Sequence, residues 1–481
     1  MNNEIRRPDL YSIIKQGVID GLQKVREVKA AGKYIGRYYD FPKLDRFRSG
    51  FPHFTQHFDN NQPSNYNDVF GDNEKSEVVW NSIPSWKNFR EFAEADTFLK
   101  NYFKLGDLCT DYPTMPNFAE WSTKYETYGT LSNFVDRFIH VSKATEFDEA
   151  IFESIYLEWE ASVFLEKLPF EVCVPILCVN FDFQSEFLDG VASVEKMTDD
   201  FQLARNNQHD LVTSVHDCVI GAASHTLVLH GWSTITNRNK NEREATFNEF
   251  SPFSKGISRI DNFFAALRTV TGIETGYSQL VVRPSGWGNR WKAFLPRVYV
   301  VTTRAYPDHF ENFGWLRDAP TVNADSISQV AEVYRALSET TANSLAIAAR
   351  RLNTAYLRRD EADSILDVTI ALEALLGDDS RTEMTHKLAM RMAALVKIEP
   401  CIEGQLSEIF DFIKKIYAYR SAIVHGSKKS ENKRTVSNKR NEEIPTVNLG
   451  LKLLRHSILT LARHPQYLDP AKLDQFLIAE S

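Results

Sequence analysis

The stretch IYAYRSAIVHG, residues 416–426, ends an amphipathic helix and determines how the C-terminal third of this chain folds. Arg420 lies on the apolar stripe of that helix, where an arginine must reach solvent, pair with an acid or use its charge in a cavity. His425 follows at the predicted helix end, and Gly426 is a typical helix-terminating residue. The apolar stripe has the three-to-four spacing of a buried helical face and consists of Ile409, Phe412, Ile413, Ile416, Ile423 and Val424.

The same arginine–histidine spacing recurs elsewhere, in contexts that do not suit a single helix end. Gly50 and Pro52 interrupt one pair of matches, Pro307 interrupts another, and Arg381 lies in a polar turn before its histidine. Only Arg420 and His425 share the end of an amphipathic helix. Two interpretations of the pair remain open on this stretch: a functional site, or a structural arginine with a capping histidine. The other matches are Arg46 or Arg48 with His53, Arg304 with His309, and Arg381 with His386.

Composition indicates a globular protein with several domains. The chain has 481 residues, of which 43% are hydrophobic and 25% charged. Its net charge is −8, and the acidic excess lies in the first two thirds, while the last third is close to neutral. A broad surface that coats nucleic acid is therefore not indicated, and any contact with RNA should be local.

Cysteine usage and the N-terminus favour a reduced, cytoplasmic setting. The five cysteines are scattered without paired metal-ligand spacing, and Cys173 and Cys178 lie in an apolar run typical of buried thiols. The histidines at 216, 225 and 230 also lack ligand spacing, so no metal and no cofactor is predicted. The N-terminus has no apolar core of a signal peptide, and no apolar run approaches the ~20 residues that span a bilayer.

Periodicity predicts an α+β multidomain protein in three parts. Residues 1–168 read as mostly helical, residues 169–320 as a mixed α+β block, and residues 321–481 as an all-helical bundle. Strands are predicted at 170–183, 225–232, 279–283 and 298–303, with a helix at 257–271. The bundle helices are predicted at 327–352, 360–376, 382–396 (with Thr382 as N-cap), 405–424 and 447–463, followed by a short tail.

One loop of the middle block, RPSGWGNRWK at 283–292, interleaves basic residues with tryptophans. Such a loop could stack nucleotides or a peptide. We favour a loop packed against the rest of the protein.

Three segments of the last part resemble a known family when taken in order. Residues 363–377 (DSILDVTIALEALLG), 383–395 (EMTHKLAMRMAAL) and 416–426 resemble the ApeA-like branch of the HEPN superfamily. The resemblance covers roughly residues 325–465. It implies a HEPN helical bundle, a homodimer through that bundle, and metal-independent RNA cleavage, often by an abortive anti-phage toxin. Arg420 and His425 match the catalytic motif, whereas Ser421 departs from the Asn, His or Lys that often follows the arginine.

The residue types suit RNA cleavage. RNA carries its own nucleophile, the 2′-hydroxyl, so the reaction needs proton transfer and charge stabilisation. The imidazole of His425 can transfer a proton near neutral pH, and Arg420 can bind two phosphate oxygens. Five residues along a helix rotate by about 500°, which leaves the two side chains about 140° apart. For both side chains to reach one phosphate, either the helix must end between them, or two copies of the motif must meet across a dimer.

Further candidates lie near the pair. Glu373 continues the face of Leu366 and Ile370, and its carboxylate could orient Arg420 or instead pair with Lys387 or Arg391. The basic run after the motif is typical of a solvated mobile loop, and beside a nuclease site it could also hold the RNA backbone. The basic residues proposed for RNA binding are Lys428, Lys429, Lys433 and Arg434.

The sequence thus predicts a cytoplasmic, metal-independent HEPN endoribonuclease that acts as a toxin-like effector of anti-phage defence. Residues 1–320 are expected to restrain it or to respond to a phage-derived or protein trigger, and the substrate is expected to be RNA. The alternative is a non-catalytic HEPN module that binds nucleotide, RNA or a protein partner. A helical scaffold in which the motif is accidental is the third interpretation.

Overall fold

The N-terminal part is a helical layer with its own hydrophobic core. In the computed structural model, the described residues are 4–55, 62–72, 76–106, 118–207, 215–235, 253–378, 383–400, 405–426 and 428–479. The core is rich in aromatic side chains, and fully buried Trp86 donates its indole Nε1–H to the Gly17 carbonyl (2.9 Å). The helices are α1 (Pro8–Ala30), α2 (Pro84–Ala95), α3 (Thr97–Phe103), α4 (Phe118–Ser142) and α5 (Glu149–Phe164), and they confirm the helical character predicted there. Small two-stranded sheets, β1 (Lys43–Arg46) with β2 (Pro52–Thr55) and β3 (Phe70–Gly71) with β4 (Val78–Val79), flank them.

A six-stranded antiparallel sheet forms the centre of the molecule. Side chains alternate along its strands, so that Phe170, Val172 and Val174 face one core while Cys173 faces another. Helices α6 (Asp199–Asn207) and α7 (Asp217–Gly221) cover the second face together with the β1–β2 hairpin. The strands, in spatial order, are β11 (Tyr299–Ala305), β10 (Tyr277–Pro284), β5 (Lys167–Pro175), β9 (His225–Ile235), β8 (Ala192–Lys196) and β7 (Ser185–Asp189). Strands β7 and β8 were not predicted from the sequence.

The C-terminal part is a helical bundle that shares its core with the first face of the sheet. Helix α8 (Phe253–Thr271) lies between the two, and its Ile260, Phe263, Phe264 and Leu267 belong to the same buried cluster as the bundle residues. Short β12 (Thr321–Val322) also pairs with β6 (Asn180–Phe181). The hydrophobic core is therefore continuous across residue 320. The bundle helices are α9 (Ala324–Glu339), α10 (Asn343–Leu357), α11 (Glu361–Leu376), α12 (Met384–Ile398), α13 (Leu406–Val424), α14 (Thr446–Arg463) and α15 (Pro470–Ala479).

Two arginines fasten α8 to the bundle. Arg268 is fully buried, and its guanidinium donates to Asn353 Oδ1 of α10 and to the Thr275 carbonyl, each at 2.5 Å. Burial lowers the pKa of Arg268 to about 10. From α14, Arg455 donates to the last carbonyls of α8, at Thr269 (3.1 Å) and Val270 (3.2 Å). The two contacts of Arg455 satisfy carbonyl groups that the end of a helix otherwise leaves unpaired.

The mixed α+β class is confirmed, but several predicted bounds are wrong. The helix predicted at 327–352 is two helices, because the chain turns at Thr340, whose Oγ1 accepts a hydrogen bond from the Ala342 amide (3.1 Å). The predicted tail contains α15, and its Leu473 is fully buried. The predicted N-cap at Thr382 lies outside the described residues. Residues 427–440, predicted as a mobile loop, include a 3-10 helix (Lys428–Lys433) and β13 (Thr435–Ser437), which pairs with β14 (Glu443–Pro445).

The described cysteines are free thiols that burial makes poorly acidic. Cys173 and Cys178 are buried, and desolvation raises the pKa of each thiol to about 12. Within the described ranges, no helix combines the length and apolar content needed to cross a bilayer. Cys109 and Cys401 lie outside the described residues.

Candidate functional site

The predicted catalytic pair lies at the C-terminal end of α13. The helix continues past Arg420 through Val424, and His425 extends its hydrogen bonding by donating its amide to the Ser421 carbonyl (3.1 Å). Gly426 then adopts φ +60° and ends the helix. Ser421 and His425 are exposed, whereas Arg420 is half-buried on the opposite, core-facing stripe. The helix therefore does not end between Arg420 and His425, and the two side chains point to different sides of it.

The guanidinium of Arg420 is partly enclosed by the bundle. Its Nε atom is buried and has no hydrogen-bond partner in the part of the chain that the structure describes. No carboxylate of a described residue lies within ion-pair distance of its guanidinium. A charged group that is partly withdrawn from water and lacks an acid is poised to bind an anion from outside the chain.

The ion pair predicted between Glu373 and Arg420 is not formed. Glu373 instead contacts the hydroxyl of Tyr417, which also lies 3.3 Å from the Thr369 carbonyl oxygen. Burial and the charge of Glu373 raise the pKa of Tyr417 far above its usual range, while Arg420 opposes this shift. The Tyr417 hydroxyl therefore stays protonated, and it interacts with the carboxylate of Glu373 on one hand and with the charge of Arg420 on the other.

The alternative partners of Glu373 are also engaged elsewhere. Arg391 lies 2.7 Å from Asp474 of α15 and 2.8 Å from Asp378, and it donates to the Leu376 carbonyl. Lys387 pairs with the same Asp378 at 3.1 Å. These contacts fasten α12 to α15 and to the end of α11, so both cations have a structural role.

The basic segment after the motif packs against α13. Lys433 donates from Nζ to the Ala418 carbonyl (3.1 Å). Arg434 forms ion pairs with Glu361 and Glu431, each at 3.4 Å, and hydrogen-bonds Tyr419. The structure thus gives Lys433 and Arg434, which were proposed to bind RNA, contacts that hold this segment on the bundle. The side chains of Lys428 and Lys429 lie outside the described part of the chain.

Sequence reasoning missed two buried polar residues of the bundle. One is Tyr417: a tyrosine three residues before Arg420 on the buried stripe indicates a hydroxyl that needs a partner. Asp367 is almost fully buried and binds Arg351 at 2.7 Å and Arg358 at 3.0 Å. A lone acid between Leu366 and Val368 in an apolar helix was the signal for this second group.

His216, His225 and His230 of the middle block serve separate structural roles. His216 stacks on Trp315 with ring centroids 4.7 Å apart, and His225 is buried with Nε2 2.8 Å from the Phe183 carbonyl oxygen. Burial lowers the pKa of His225, which favours its neutral form. His230 lies 2.9 Å from Glu171 and 2.7 Å from Ser193. Across the described ranges, no three His, Cys, Asp or Glu side chains are grouped to hold a metal ion.

Comparison of the chain with protein-family models, with curated proteins and with solved structures found no match.

Proposed function

We propose that this protein is a metal-independent HEPN endoribonuclease that uses Arg420 and His425. The observation that carries the proposal is the half-buried guanidinium of Arg420, whose Nε has no hydrogen-bond partner among the described residues. Other arginines that are withdrawn from water have partners for their charge: Arg391 and Arg351 pair with acids, and fully buried Arg268 donates to Asn353 and to a backbone carbonyl. An RNA phosphate supplies the missing anion, and the exposed imidazole of His425 supplies proton transfer.

The proposed reaction is transesterification within the RNA. The 2′-oxygen forms a bond to phosphorus as the bond to the 5′-oxygen breaks, and the products are a 2′,3′-cyclic phosphate and a 5′-hydroxyl. The proton leaves the 2′-hydroxyl, and a proton is delivered to the 5′-oxygen; His425 performs one of these transfers. Arg420 binds the phosphate oxygens, where negative charge accumulates in the transition state.

We further propose that the working site forms between two copies of the chain. Because α13 is continuous through Val424, Arg420 and His425 of one protomer lie about 140° apart around it. Two copies of the motif that face each other would join the arginine of one protomer to the histidine of its partner. Leu366 and Ile370 are only half-buried on α11, and Val424 is 52% exposed, which supports an apolar contact surface beside the motif.

The part of the chain before the bundle is proposed to restrain the nuclease. A cell does not tolerate an unrestrained ribonuclease, and the N-terminal helices form a core of their own that cleavage does not need. We propose a phage-derived or protein trigger that acts on this part in the cytoplasm, so that the protein serves as a toxin-like effector of anti-phage defence. The sheet and α8, which share the bundle's core, connect the N-terminal part to the site.

Incubating the purified protein with total RNA in the presence of EDTA tests this function. We expect cleavage to continue with chelator and to leave 2′,3′-cyclic phosphate ends, because the 2′-hydroxyl is the nucleophile. His425→Ala should abolish cleavage. His464→Ala is the matched control, since His464 also ends a helix but lies beside Glu399, at 3.3 Å. Full activity of His425→Ala, or loss of activity with EDTA, would refute the proposal and favour a binding module or a metal-dependent enzyme.

A further inference from the structure

A cleft separates the N-terminal helices from the loop that follows β10. Its volume is about 350 Å³, which is within the size range of small-molecule sites. The loop side of the cleft is formed by Asn289, Arg290 and Trp291, which belong to the tryptophan-containing loop noted in the sequence. The helical side is predominantly aromatic and includes Trp80, Tyr102, Tyr125, Phe134 and Trp159.

Two buried polar atoms of the residues that line the cleft have no hydrogen-bond partner among the described residues. They are the indole Nε1–H of Trp80, a donor, and the amide Oδ1 of Asn289, an acceptor. The residues are 9% and 8% exposed, so water reaches them poorly. Buried polar groups of this kind are rare, because each costs free energy unless something pairs with it. Other buried tryptophans are satisfied: Trp86 bonds Gly17 and Trp287 bonds the Pro169 carbonyl.

The loop is fixed, so Asn289 is held at the cleft by the neighbouring backbone. Trp291 donates its amide to Asn133 Oδ1 (3.1 Å), and Asn133 Nδ2 donates back to the Trp291 carbonyl (2.9 Å). The Gly288 amide bonds the Glu158 carbonyl at 3.0 Å. The favoured prediction of a packed loop is therefore confirmed for its tryptophans, and the unpaired amide oxygen stands between two anchored residues.

One charged pair also lines the cleft. Arg290 lies 3.3 Å from Glu126, and the arginine side chain is 43% exposed. A partly exposed guanidinium can also bind a phosphate, which contacts arginine in two-point geometry. The cleft thus combines flat aromatic walls, one unpaired donor, one unpaired acceptor and an accessible cation.

We propose that this cleft binds a nucleoside or nucleotide, with the base between the aromatic side chains. The edge of a nucleobase carries both acceptors and donors, and here the Trp80 N–H needs an acceptor and the Asn289 oxygen needs a donor. Its flat ring suits stacking, and a 5′-phosphate reaches toward Arg290. The aromatic side chain of a tyrosine or tryptophan in a peptide carries a single polar atom. That one atom would have to pair with both the Trp80 N–H and the Asn289 oxygen. The site is remote in sequence from Arg420 and His425 and does not depend on the proposed nuclease activity.

Isothermal titration calorimetry of the full-length protein tests the inference. The probes are the four ribonucleosides and their 5′-monophosphates, and N-acetyltryptophanamide serves as the peptide-like comparison. We expect at least one nucleoside to bind and its monophosphate to bind more tightly. Trp80→Phe and Asn289→Leu should each weaken binding roughly tenfold, because each removes one hydrogen bond to the base. Trp232→Phe is the matched control, since Trp232 lies on β9 and does not line the cleft, and this variant should bind as the wild type does.

Thermal unfolding separates this role from a structural one. Since the Asn289 oxygen has no partner among the described residues, Asn289→Leu should not lower the melting temperature without nucleoside, but it should remove the increase that the nucleoside causes. Failure of every nucleoside and nucleotide to bind at millimolar concentration would overturn the inference. So would unchanged affinity of both cleft variants, or binding of N-acetyltryptophanamide in preference to all nucleosides.

Discussion

Replacing Arg420 with lysine is expected to reduce RNA cleavage by about two orders of magnitude, because lysine keeps the charge but loses the planar two-point grip on phosphate. The free energy of unfolding should change by no more than about 1 kcal/mol, because no described acid pairs with Arg420 and its Nε has no hydrogen bond to lose. Cleavage rates and denaturant unfolding of the same preparations measure the two quantities.

Two further substitutions serve as controls for this experiment. Arg335→Lys, on an exposed face of α9, should leave both cleavage and stability unchanged. Arg391→Lys should lower stability, because it breaks the two-point contact with Asp474, while cleavage by the folded fraction persists. If Arg420→Lys cleaves RNA at the wild-type rate, Arg420 does not contact the transition state and the structural interpretation of this arginine stands.

The bundle expressed as residues 321–481 is expected not to fold cooperatively. A fragment of residues 165–481 is expected to fold cooperatively. The shorter fragment lacks α8, whose buried Ile260, Phe263 and Leu267 each contribute roughly 2 kcal/mol through burial. It also leaves Asn353 without Arg268. The combined loss is comparable to the whole stability margin of an ordinary domain. The longer fragment keeps the sheet and α8 and begins after the core of the N-terminal helices. It loses the β1–β2 hairpin and buried Phe51 from the second face of the sheet, so its melting temperature should be lower than that of the full chain. Thermal unfolding followed by circular dichroism distinguishes the fragments.

The longer fragment also tests restraint. If the N-terminal helices hold the nuclease in check, cells that express residues 165–481 should be impaired more than cells that express the full chain at equal levels. The His425→Ala versions of both chains should not impair the cells. They serve as controls for toxicity that arises from exposed hydrophobic surface and not from RNA cleavage. Equal toxicity of a folded fragment and the full chain would contradict restraint, and a cooperative melting transition from residues 321–481 would contradict the shared core.

Local periodicity predicted much of the fold correctly. The stripe from Ile409 to Ile416 predicted α13 within one residue at its start, and the apolar spacing of Ile260, Phe263, Phe264 and Leu267 predicted α8. Such stripes are visible because each residue is buried by its own helix packing on a core. The same reasoning placed Arg420 on the core side and His425 at the helix end, as the structure has them.

Features that depend on distant partners were not predictable in this way. The break at Thr340 has no proline or glycine to mark it, so two helices read as one. Helix α15 is stabilised by the pairing of Asp474 with Arg391, 83 residues away in sequence. Glu373 has several cations within plausible reach along the chain, and only the tertiary arrangement shows that Tyr417 takes its carboxylate. The continuity of the core across residue 320 was not predictable either, because periodicity within each part of the chain does not show which parts pack together.

Mixing two inactive variants tests the central claim most directly, namely that Arg420 and His425 together form an RNA-cleaving site. Arg420→Ala and His425→Ala proteins are unfolded and refolded together with EDTA present, and cleavage of total RNA is measured. If each site takes its arginine from one protomer and its histidine from the partner, half of the dimers carry one intact site, and the mixture should recover about a quarter of the wild-type activity. Each variant treated separately should remain inactive. A mixture that stays inactive while wild-type protein regains activity would contradict the shared site, and full activity of either variant without its partner would contradict the catalytic pair itself.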